Sequence, residues 1–176
     1  MSKKIVFTGG LSSGKTTTIN MLRDLGHLVM AENSELAINN YKQKCNCYPW
    51  ENKKDLVNFH QEVLAKQMEI EKNIKDGIVF LDRGVPDRLV FMKLDGLQVP
   101  PEVMGKARLC NYYQVFYFEG DRSIYEKASH RPQDMEYSKI VEKLTMEMYR
   151  DLGYSPIIVP FCSREERLKF ILEKVV

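Results

Sequence analysis

The sequence predicts an α/β fold with three layers, in which a parallel sheet of about five strands lies between helices on both faces. Two observations carry this prediction. Short apolar runs alternate along the chain with longer segments whose apolar residues recur every three or four positions, as in a strand followed by a helix. A glycine-rich octapeptide also lies between the first apolar run and the first helical segment. Strands that alternate with helices pair in parallel, because each return to the sheet needs a crossover connection.

The predicted strands and helices follow one another without a Pro- or Gly-rich linker. The predicted strands cover residues 5–7, 27–31, 78–81, 113–118 and 156–159, and the run at 78–81 is apolar throughout, as in a central strand. The predicted helices cover residues 17–25, 34–41, 55–75, 86–94, a short segment from 100, 135–152 and 164–174. Gly77 and Gly153 are helix stop signals, and Ser163 with Glu166 forms a capping box for the last helix.

Length and composition predict a single soluble domain over residues 1–176. The chain is 44% hydrophobic and 28% charged, and its formal charge of +2 gives no reason to expect a nucleic-acid partner. No apolar run approaches the roughly 18 residues that span a bilayer, and no signal-peptide core follows the first residues. We therefore expect a cytoplasmic protein without a membrane span. The four cysteines show no disulfide framework, which predicts reduced thiols.

Residues 9–16 read Gly-Gly-Leu-Ser-Ser-Gly-Lys-Thr and match the phosphate-binding pattern G-x-x-x-x-G-K-[ST] at every fixed position. In such a loop the glycines allow a tight turn, and backbone N–H groups converge with a helix N-terminus on a phosphate chain. Lys15 is predicted to bridge the outer phosphates, and Thr16 to bind magnesium through its hydroxyl. The predicted nucleotide-binding residues are Gly9, Gly10, Leu11, Ser12, Ser13, Gly14, Lys15, Thr16 and Thr17. The ligands that these residues predict are ATP, or another nucleoside triphosphate, and Mg²⁺.

Charged residues follow two of the predicted strands. Asp82 and Arg83 end the apolar run at 78–81, and Glu32 follows the second strand. Because the carboxyl ends of parallel strands open onto one crevice, Asp82 is predicted to bind magnesium together with Thr16. Arg83 is predicted to contact phosphate, and Glu32 to accept a proton from a substrate hydroxyl. A structural interpretation stays open for Glu32, because a glutamate near a helix start is favoured by the helix dipole, and Glu35 could serve instead.

The polar stretch from about residue 120 to residue 134 contains little apolar surface and is predicted to be a lid. Arg131 is its predicted catalytic residue, because an arginine that closes over the transferred phosphoryl group would stabilise the charge of the transition state. Arg122 and His130 lie in the same stretch. Solvated surface charge is the alternative interpretation of all three residues.

Two further patterns are weaker. Asn52-Lys53-Lys54-Asp55 spells the N-K-x-D string that recognises guanine in nucleotide switches, but it precedes the Asp82 strand and opens a helix, where Asn and Asp are ordinary caps. The segment with Cys45, Cys47, Tyr48 and Trp50 is predicted to be a loop that either lines a substrate pocket or packs at the edge of the domain.

With these residues in view, the chain resembles the ATP-binding "AAA domain" proteins of the nicotinamide riboside kinase-like type, which are similar to nucleoside and nucleotide monophosphate kinases. The resemblance rests on residues 9–16, Glu32, the run Asp-Arg-Gly-Val-Pro-Asp at 82–87, Arg131, residues 149–154, Val159-Pro160 and Arg167. It implies a P-loop NTPase fold, with Asp87 and Arg88 facing the phosphoryl acceptor and the loop after Pro160 bordering the base. Family members tend to carry an arginine shortly after the Glu32 position, where this chain has Glu35 and Leu36.

The sequence therefore predicts a magnesium-dependent ATP phosphotransferase that acts on a small-molecule acceptor, such as a nucleoside, a nucleotide or a related metabolite. Lys15, Glu32, Asp82, Arg83 and Arg131 are its predicted catalytic residues. Glu32, Arg83, Asp87 and Arg88 are the predicted acceptor-binding residues. Two alternatives stay open: a nucleotide-dependent switch that hydrolyses slowly, and a kinase of nucleic-acid ends, which would need a local basic groove.

Overall fold

The computed structural model describes residues 2–120 and 135–175, which form one five-stranded sheet flanked by helices. Every strand pair is parallel, and the strand order is β2-β3-β1-β4-β5. The predicted α/β fold with a five-stranded parallel sheet is thus confirmed. The strands are β1 (Lys3–Gly9), β2 (Leu28–Met30), β3 (Ile78–Asp82), β4 (Gln114–Phe118) and β5 (Ile157–Val159).

Seven α-helices lie within the described residues, and each corresponds to a predicted one. They are α1 (Lys15–Asp24), α2 (Ser34–Cys45), α3 (Lys53–Asn73), α4 (Val85–Leu94), α5 (Pro101–Arg108), α6 (Met135–Asp151) and α7 (Arg164–Lys174). A short 3₁₀ turn, Pro49–Glu51, precedes α3. None of the helices in residues 2–120 and 135–175 is long and apolar enough to cross a membrane.

Both faces of the sheet are covered because successive strand residues point to opposite sides. On one face, Phe7, Phe80 and Phe116 pack with residues of α1 and α7, and the Phe7 ring lies 5.7 Å from Phe80 and 5.8 Å from Phe116. On the other face, Val6 and Leu81 pack around Tyr149 of α6. Burial of each large apolar side chain stabilises the fold by about 1.5–3 kcal/mol, so both helix layers are held by the central strands.

The register of the central strands brings the predicted site residues to one edge. Asp82 pairs with Phe7, and Gly9 pairs with Phe118, so β1, β3 and β4 end close together. The chain leaves β2 at Met30, two residues before Glu32. The carboxyl edge of a parallel sheet is where ligands bind in open α/β folds, so the fold assembles the candidate site there.

The aromatic segment packs against residues of α2 and α3. Tyr48 stacks on Trp50 with ring centroids 4.8 Å apart, and both pack against a cluster that contains Phe59. Asn52 caps α3, because its side-chain oxygen accepts a hydrogen bond from the Asp55 amide at 2.9 Å. The N-K-x-D string is therefore a helix cap in this chain, as its position predicts.

One expectation about the cysteines is wrong. Cys47 is disulfide-bonded, whereas Cys110 and Cys162 are free. The spacing of the cysteines can reveal a framework of several disulfides, but it gives no signal for an individual bond such as the one at Cys47.

Candidate functional site

The loop between β1 and α1 has the backbone shape that its glycines permit. Gly9 has φ 120° and Gly14 has φ 85°, conformations that residues with a Cβ rarely adopt. A Cβ atom on Gly9 would lie 2.1 Å from the carbonyl oxygen of Phe118. The Gly10 amide donates to this same carbonyl at 3.0 Å, which ties the start of the loop to the end of β4.

Lys15 is buried beneath this loop and folds back onto it. Its ammonium donates to the Gly10 carbonyl and, at 2.9 Å, to Ser13 Oγ. Burial and the neighbouring Arg83 cation lower the pKa of Lys15 to about 7. An anion placed at the loop would favour the charged ammonium, so the site is arranged to take up a proton with an anionic ligand.

Thr16 and Asp82 meet at the end of β3. The Thr16 hydroxyl donates to Asp82 Oδ2 at 2.8 Å, while Asp82 Oδ1 is buried and has no hydrogen-bond partner among residues 2–120 and 135–175. Burial raises the pKa of Asp82, and Lys15 opposes that shift. A hydroxyl and a carboxylate with an unused oxygen are the hard oxygen ligands that Mg²⁺ binds, so this pair fits the predicted metal.

Two arginines hold Glu32. Arg83 Nε donates to Glu32 Oε2 at 3.1 Å, and Arg88 Nη1 donates to Glu32 Oε1 at 3.0 Å. Burial alone would raise the pKa of Glu32, but Arg88 and Arg83 outweigh that effect and hold the pKa well below its usual value. Arg88 Nη1 also donates to the hydroxyl of Ser34. Family members tend to carry an arginine within the segment that follows Glu32. In this chain Arg88 of α4 supplies the guanidinium that lies beside this segment.

Asp87 lies below this cluster and is fully buried. One of its oxygens accepts from Thr8 Oγ1 at 2.6 Å and from Arg83 Nη1 at 3.0 Å. The other accepts from the Tyr149 hydroxyl at 2.6 Å and from the Gly84 amide at 3.0 Å. Asp87 thus holds the Arg83 guanidinium from beneath, and α6 contributes to this contact through Tyr149.

Arg83 is strained as well as buried. Its backbone has φ 71°, the left-handed region that side chains other than glycine seldom adopt. Its amide donates to the Phe7 carbonyl at 2.9 Å, and its carbonyl accepts from Gln67 Nε2 at 3.2 Å. Burial would lower the pKa of Arg83, but Glu32 and Asp87 raise it further above its usual value, so the side chain stays charged.

Two cavities open on different sides of the loop. The larger cavity, of about 510 Å³, is lined by Ser12, Ser13, Gly14, Lys15, Thr16, Thr17, Phe161, Cys162, Ser163, Arg164 and Arg167. The smaller cavity, of about 130 Å³, is lined by Leu11, Glu32, Ser34, Glu35, Ile38, Phe59, His60, Val63, Arg83, Arg88 and Phe91. Lys15 lines the first, and Arg83 lines the second. Their side chains influence each other's charge, which lowers the pKa of Lys15.

Arg167 joins the phosphate loop to the loop after β5. Its Nη1 donates to the Ser13 carbonyl at 3.2 Å, and its Nη2 donates to the Cys162 carbonyl at 3.4 Å. Sequence reasoning gave Arg167 no role. Its place in the first turn of α7, four residues after the Ser163 cap, is the signal that could have indicated it, because this turn follows a strand that ends at the site edge.

The predicted site residues fall into four groups. Of the predicted nucleotide-binding residues, those from Ser12 to Thr17 line the larger cavity. Leu11 lines the smaller cavity together with Glu32, Arg83 and Arg88. Gly9, Gly10, Asp82 and Asp87 are not among the lining residues of either cavity. Arg131, together with Arg122, His130 and the lid segment after Gly120, lies outside the described residues.

Comparison with solved structures shows that this fold is similar to the folds of a deoxyadenosine kinase, a thymidylate kinase and the NadR protein. Deoxyadenosine kinase from M. mycoides with bound dATP superimposes with a TM-score of 0.69 at 16% identity, over 98% of both chains. Thymidylate kinase from Ehrlichia chaffeensis gives 0.68 at 14% identity, over 99% of both chains. The NadR protein in complex with NR gives 0.67 at 18% identity, over 98% of this chain and 51% of that one. At these identities the similarity shows the fold alone.

The sequence comparisons give a family. None of the curated protein sequences matches this chain significantly. Residues 4–167, which include the phosphate loop, the Asp82 strand and Arg167, match the family described as "AAA domain". Because the match spans most of its length, the chain belongs to this AAA-domain family of P-loop proteins.

Proposed function

We propose that the protein transfers a phosphoryl group from ATP, or another nucleoside triphosphate, to a small-molecule acceptor in a magnesium-dependent reaction. The acceptor would be a nucleoside, a nucleotide or a related metabolite that bears a hydroxyl or phosphate group. One observation carries the proposal: two separate cavities flank the same phosphate loop, and charged side chains lie at both. A phosphotransferase needs two such sites, one for the donor and one for the acceptor.

The larger cavity would bind the donor. Backbone N–H groups between Ser12 and Thr17 and the N-terminus of α1 would hold the phosphates, and Lys15 would move from the Gly10 carbonyl to the outer phosphates. Phe161 and Arg164 line the same cavity, so they would pack against the base. Arg167 would keep the two walls at a fixed distance through its carbonyl contacts.

Thr16 and Asp82 would hold magnesium, which neutralises phosphate charge when it is bound. The unpartnered Oδ1 of Asp82 supports this assignment, because a buried carboxylate oxygen without a donor is costly unless a cation accepts its charge. The Thr16 hydroxyl, 2.8 Å from Oδ2, would complete the pair of oxygen ligands from the protein.

The smaller cavity would bind the acceptor. Glu32 would accept a hydrogen bond from the attacking hydroxyl, and Arg83 would stabilise charge on the transferred group. The two arginines make Glu32 a weak base, so in a kinase it would mainly orient the hydroxyl, which loses its proton late in a loose transition state. Asp87 would act as a positioning residue for Arg83, because it is enclosed and does not line the cavity. Arg131 of the lid segment would add a further positive charge.

A screen tests this proposal. Nucleosides, nucleotides, pyridine ribosides and oligonucleotides would be incubated with ATP and Mg²⁺, with phosphate transfer and thermal shift as readouts. Lys15→Ala should lose most of the triphosphate affinity seen by calorimetry, because it removes the charge that meets the outer phosphates. Equal affinity in the wild type and in Lys15→Ala would show that the loop does not bind phosphate and would overturn the proposal.

A nucleotide-dependent switch is the second candidate. One observation favours it: Glu32 is neutralised by two arginines and is a weaker base than a free carboxylate. A switch would hydrolyse slowly and would transfer to no acceptor in the screen.

A further inference from the structure

We infer that Gln67, Glu71 and Tyr112 form a buried hydrogen-bond network that positions Arg83 at the acceptor site. All three side chains are 5% exposed or less, and the lining residues of the two cavities do not include them. Their hydrogen bonds reach the backbone of residues 83–85, which connect β3 to α4. They are therefore positioning residues that act through Arg83. This inference rests on the proposed function, which assigns Arg83 to the transferred group.

Arg83 needs such support because its backbone is strained. Its φ of 71° is in the left-handed region, which persists in a non-glycine residue only where the surrounding structure holds it. The φ and ψ angles also set the direction in which the side chain leaves the backbone. In the observed conformation the guanidinium reaches Glu32 at 3.1 Å and the Gly9 carbonyl at 3.4 Å. A relaxed backbone would direct the side chain elsewhere.

Gln67 holds the carbonyl of Arg83. Its Nε2 donates to this carbonyl at 3.2 Å and to Glu71 Oε1 at 2.9 Å, so both hydrogens of the amide group are used. The direction of the Arg83 carbonyl fixes ψ of that residue. Gln67 therefore stabilises one of the two backbone angles on which the direction of the Arg83 side chain depends.

Tyr112 holds the amide on the other side of Gly84. The Val85 amide donates to the Tyr112 hydroxyl at 2.9 Å, and this hydroxyl donates to Glu71 Oε1 at 3.0 Å. The chain passes close to the hydroxyl, because a Cβ atom on Gly84 would lie 2.8 Å from the Tyr112 oxygen. Glu71 Oε1 is thus the common acceptor that joins the two hydrogen bonds to residues 83–85.

The burial of Glu71 also indicates a positioning role. Its second oxygen lies 3.6 Å from the ammonium of Lys4, and the side chain is 5% exposed. A carboxylate in the interior is costly unless hydrogen bonds compensate its lost hydration, and apolar side chains would fill the same volume without that cost. The carboxylate is explained if the geometry of residues 83–85 depends on the acceptor that it supplies.

Hydrogen exchange of the Arg83 side chain tests this inference without requiring turnover. Its Nε–H donates to Glu32 in a buried position, so its exchange with water should be slow enough to follow by ¹⁵N NMR, and Arg83→Lys identifies the resonance. Gln67→Met and Tyr112→Phe each remove one hydrogen bond to residues 83–85. Each should accelerate this exchange by about 2- to 10-fold relative to the backbone amides of β1, as expected for the loss of one hydrogen bond.

Tyr154→Phe is the matched control for Tyr112→Phe. The two rings lie 5.4 Å apart, and the Tyr154 hydroxyl bonds to the Tyr112 amide and the Cys110 carbonyl. It therefore removes a hydroxyl from the same aromatic cluster without removing a hydrogen bond to residues 83–85. The exchange of Arg83 relative to the β1 amides should stay at the wild-type value.

Two substitutions of Glu71 separate its acceptor oxygen from its charge. Glu71→Gln keeps an oxygen that can accept from Gln67 and Tyr112, whereas Glu71→Leu removes the acceptor. The relative exchange of Arg83 should be closer to the wild-type value in Glu71→Gln than in Glu71→Leu. Equal acceleration in both variants of Glu71, or no acceleration in Gln67→Met and Tyr112→Phe beyond that of the β1 amides, would overturn the inference.

Transfer kinetics with an acceptor from the screen provide the second readout. Gln67→Met should lower kcat by up to about 10-fold with the KM for ATP unchanged, because the donor cavity is not altered. In an Arg83→Lys background the same substitution should cause little further loss, since it acts through Arg83. An unchanged kcat in Gln67→Met, or an equal loss in both backgrounds, contradicts the inference. A protein that phosphorylates no acceptor counts against the proposed function instead, and the exchange comparison then still decides whether the network positions Arg83.

Discussion

Lys15 shows how one residue can couple nucleotide binding to pH. Its pKa of about 7 in the free protein comes first from burial and then from Arg83. A bound triphosphate would raise that pKa towards the ordinary value of 10.5. Between the two values the complex holds more protons than the free protein, so affinity should fall as pH rises.

We therefore predict that nucleotide affinity is about 50-fold weaker at pH 9 than at pH 7, because the amine of the free protein is half protonated at pH 7 and must almost always gain a proton at pH 9. Calorimetry in buffers of different ionisation enthalpy would measure the proton uptake directly. Lys15→Arg is the control, since a guanidinium does not titrate in this range and its affinity should be flat. Equal affinity at both pH values in the wild type would contradict the predicted uptake of a proton by Lys15 on nucleotide binding.

Asp82 carries the second residue-scale prediction. Asp82→Asn keeps the size of the side chain and can still accept from the Thr16 hydroxyl, so the fold should persist. Magnesium-dependent turnover should fall, and the magnesium concentration for half-maximal activity should rise, because a neutral amide is a poorer ligand for a hard cation. Titration of activity with Mg²⁺ gives both quantities. If the magnesium dependence is the same in the variant, then Asp82 serves only to accept from Thr16.

At this scale the sequence predicted the residues that end strands but not those that support them. Glu32 and Asp82 follow apolar runs, and such positions fall at one sheet edge in every parallel sheet. The buried contacts of Asp87 with Thr8 and Tyr149 span 79 and 62 residues of sequence and leave no local pattern. The resemblance predicted that Asp87 contacts the acceptor, whereas the structure buries Asp87 fully.

The site depends on the contact between the end of β4 and the start of the phosphate loop, where β1 ends. Gly9 has φ 120°, and a Cβ there would overlap the Phe118 carbonyl that also accepts from the Gly10 amide. We predict that Gly9→Ala lowers the free energy of unfolding by more than the roughly 1–3 kcal/mol of backbone strain alone, because β4 must also move. Nucleotide affinity should fall with it.

Gly105→Ala provides the matched control for that change. Gly105 lies inside α5, and no described atom outside its local helix lies within 4 Å of a Cβ built there. Alanine should stabilise this helix by about 0.4–1 kcal/mol, so the two substitutions should have opposite signs in chemical denaturation. A stable Gly9→Ala variant with normal nucleotide affinity would contradict the proposed dependence of the loop on this contact.

The observed helix ends match the predicted ones where the sequence contains a capping motif. α7 covers residues 164–174 as predicted. Ser163 and Glu166 form a capping box at its N-terminus, in which each side chain accepts a hydrogen bond from the backbone amide of the other residue. α2 instead continues from residue 41 to Cys45 and ends at Asn46, whose left-handed backbone has φ 51°. Asparagine adopts this conformation more readily than most residues, but nothing in the sequence distinguishes this asparagine from the two at 39–40 within the helix.

At the scale of the whole molecule, the sheet order decides which residues meet. With β1 between β3 and β4, the phosphate loop emerges beside Asp82 on one side and beside Phe118 on the other. The sequence predicted a parallel sheet but not this strand order. The presence of two cavities at the site could therefore not be predicted. The division depends on α2 and α3 on one side and on the loop before α7 on the other.

The role of the smaller cavity differs between a kinase and a switch, because only a kinase uses this cavity for an acceptor. In a kinase, Glu32→Gln should leave nucleotide binding nearly intact, since Glu32 does not line the larger cavity. Transfer to the acceptor should fall by about 100- to 10,000-fold if Glu32 takes the proton, and by less if it mainly orients the hydroxyl. Hydrolysis by water should change little, because solvent can activate water.

The measurement is the ratio of acceptor phosphorylation to hydrolysis in the wild type and in the variant. A wild type without transfer to any acceptor, together with an unchanged hydrolysis rate in Glu32→Gln, would favour the switch, in which the smaller cavity has no part in the reaction.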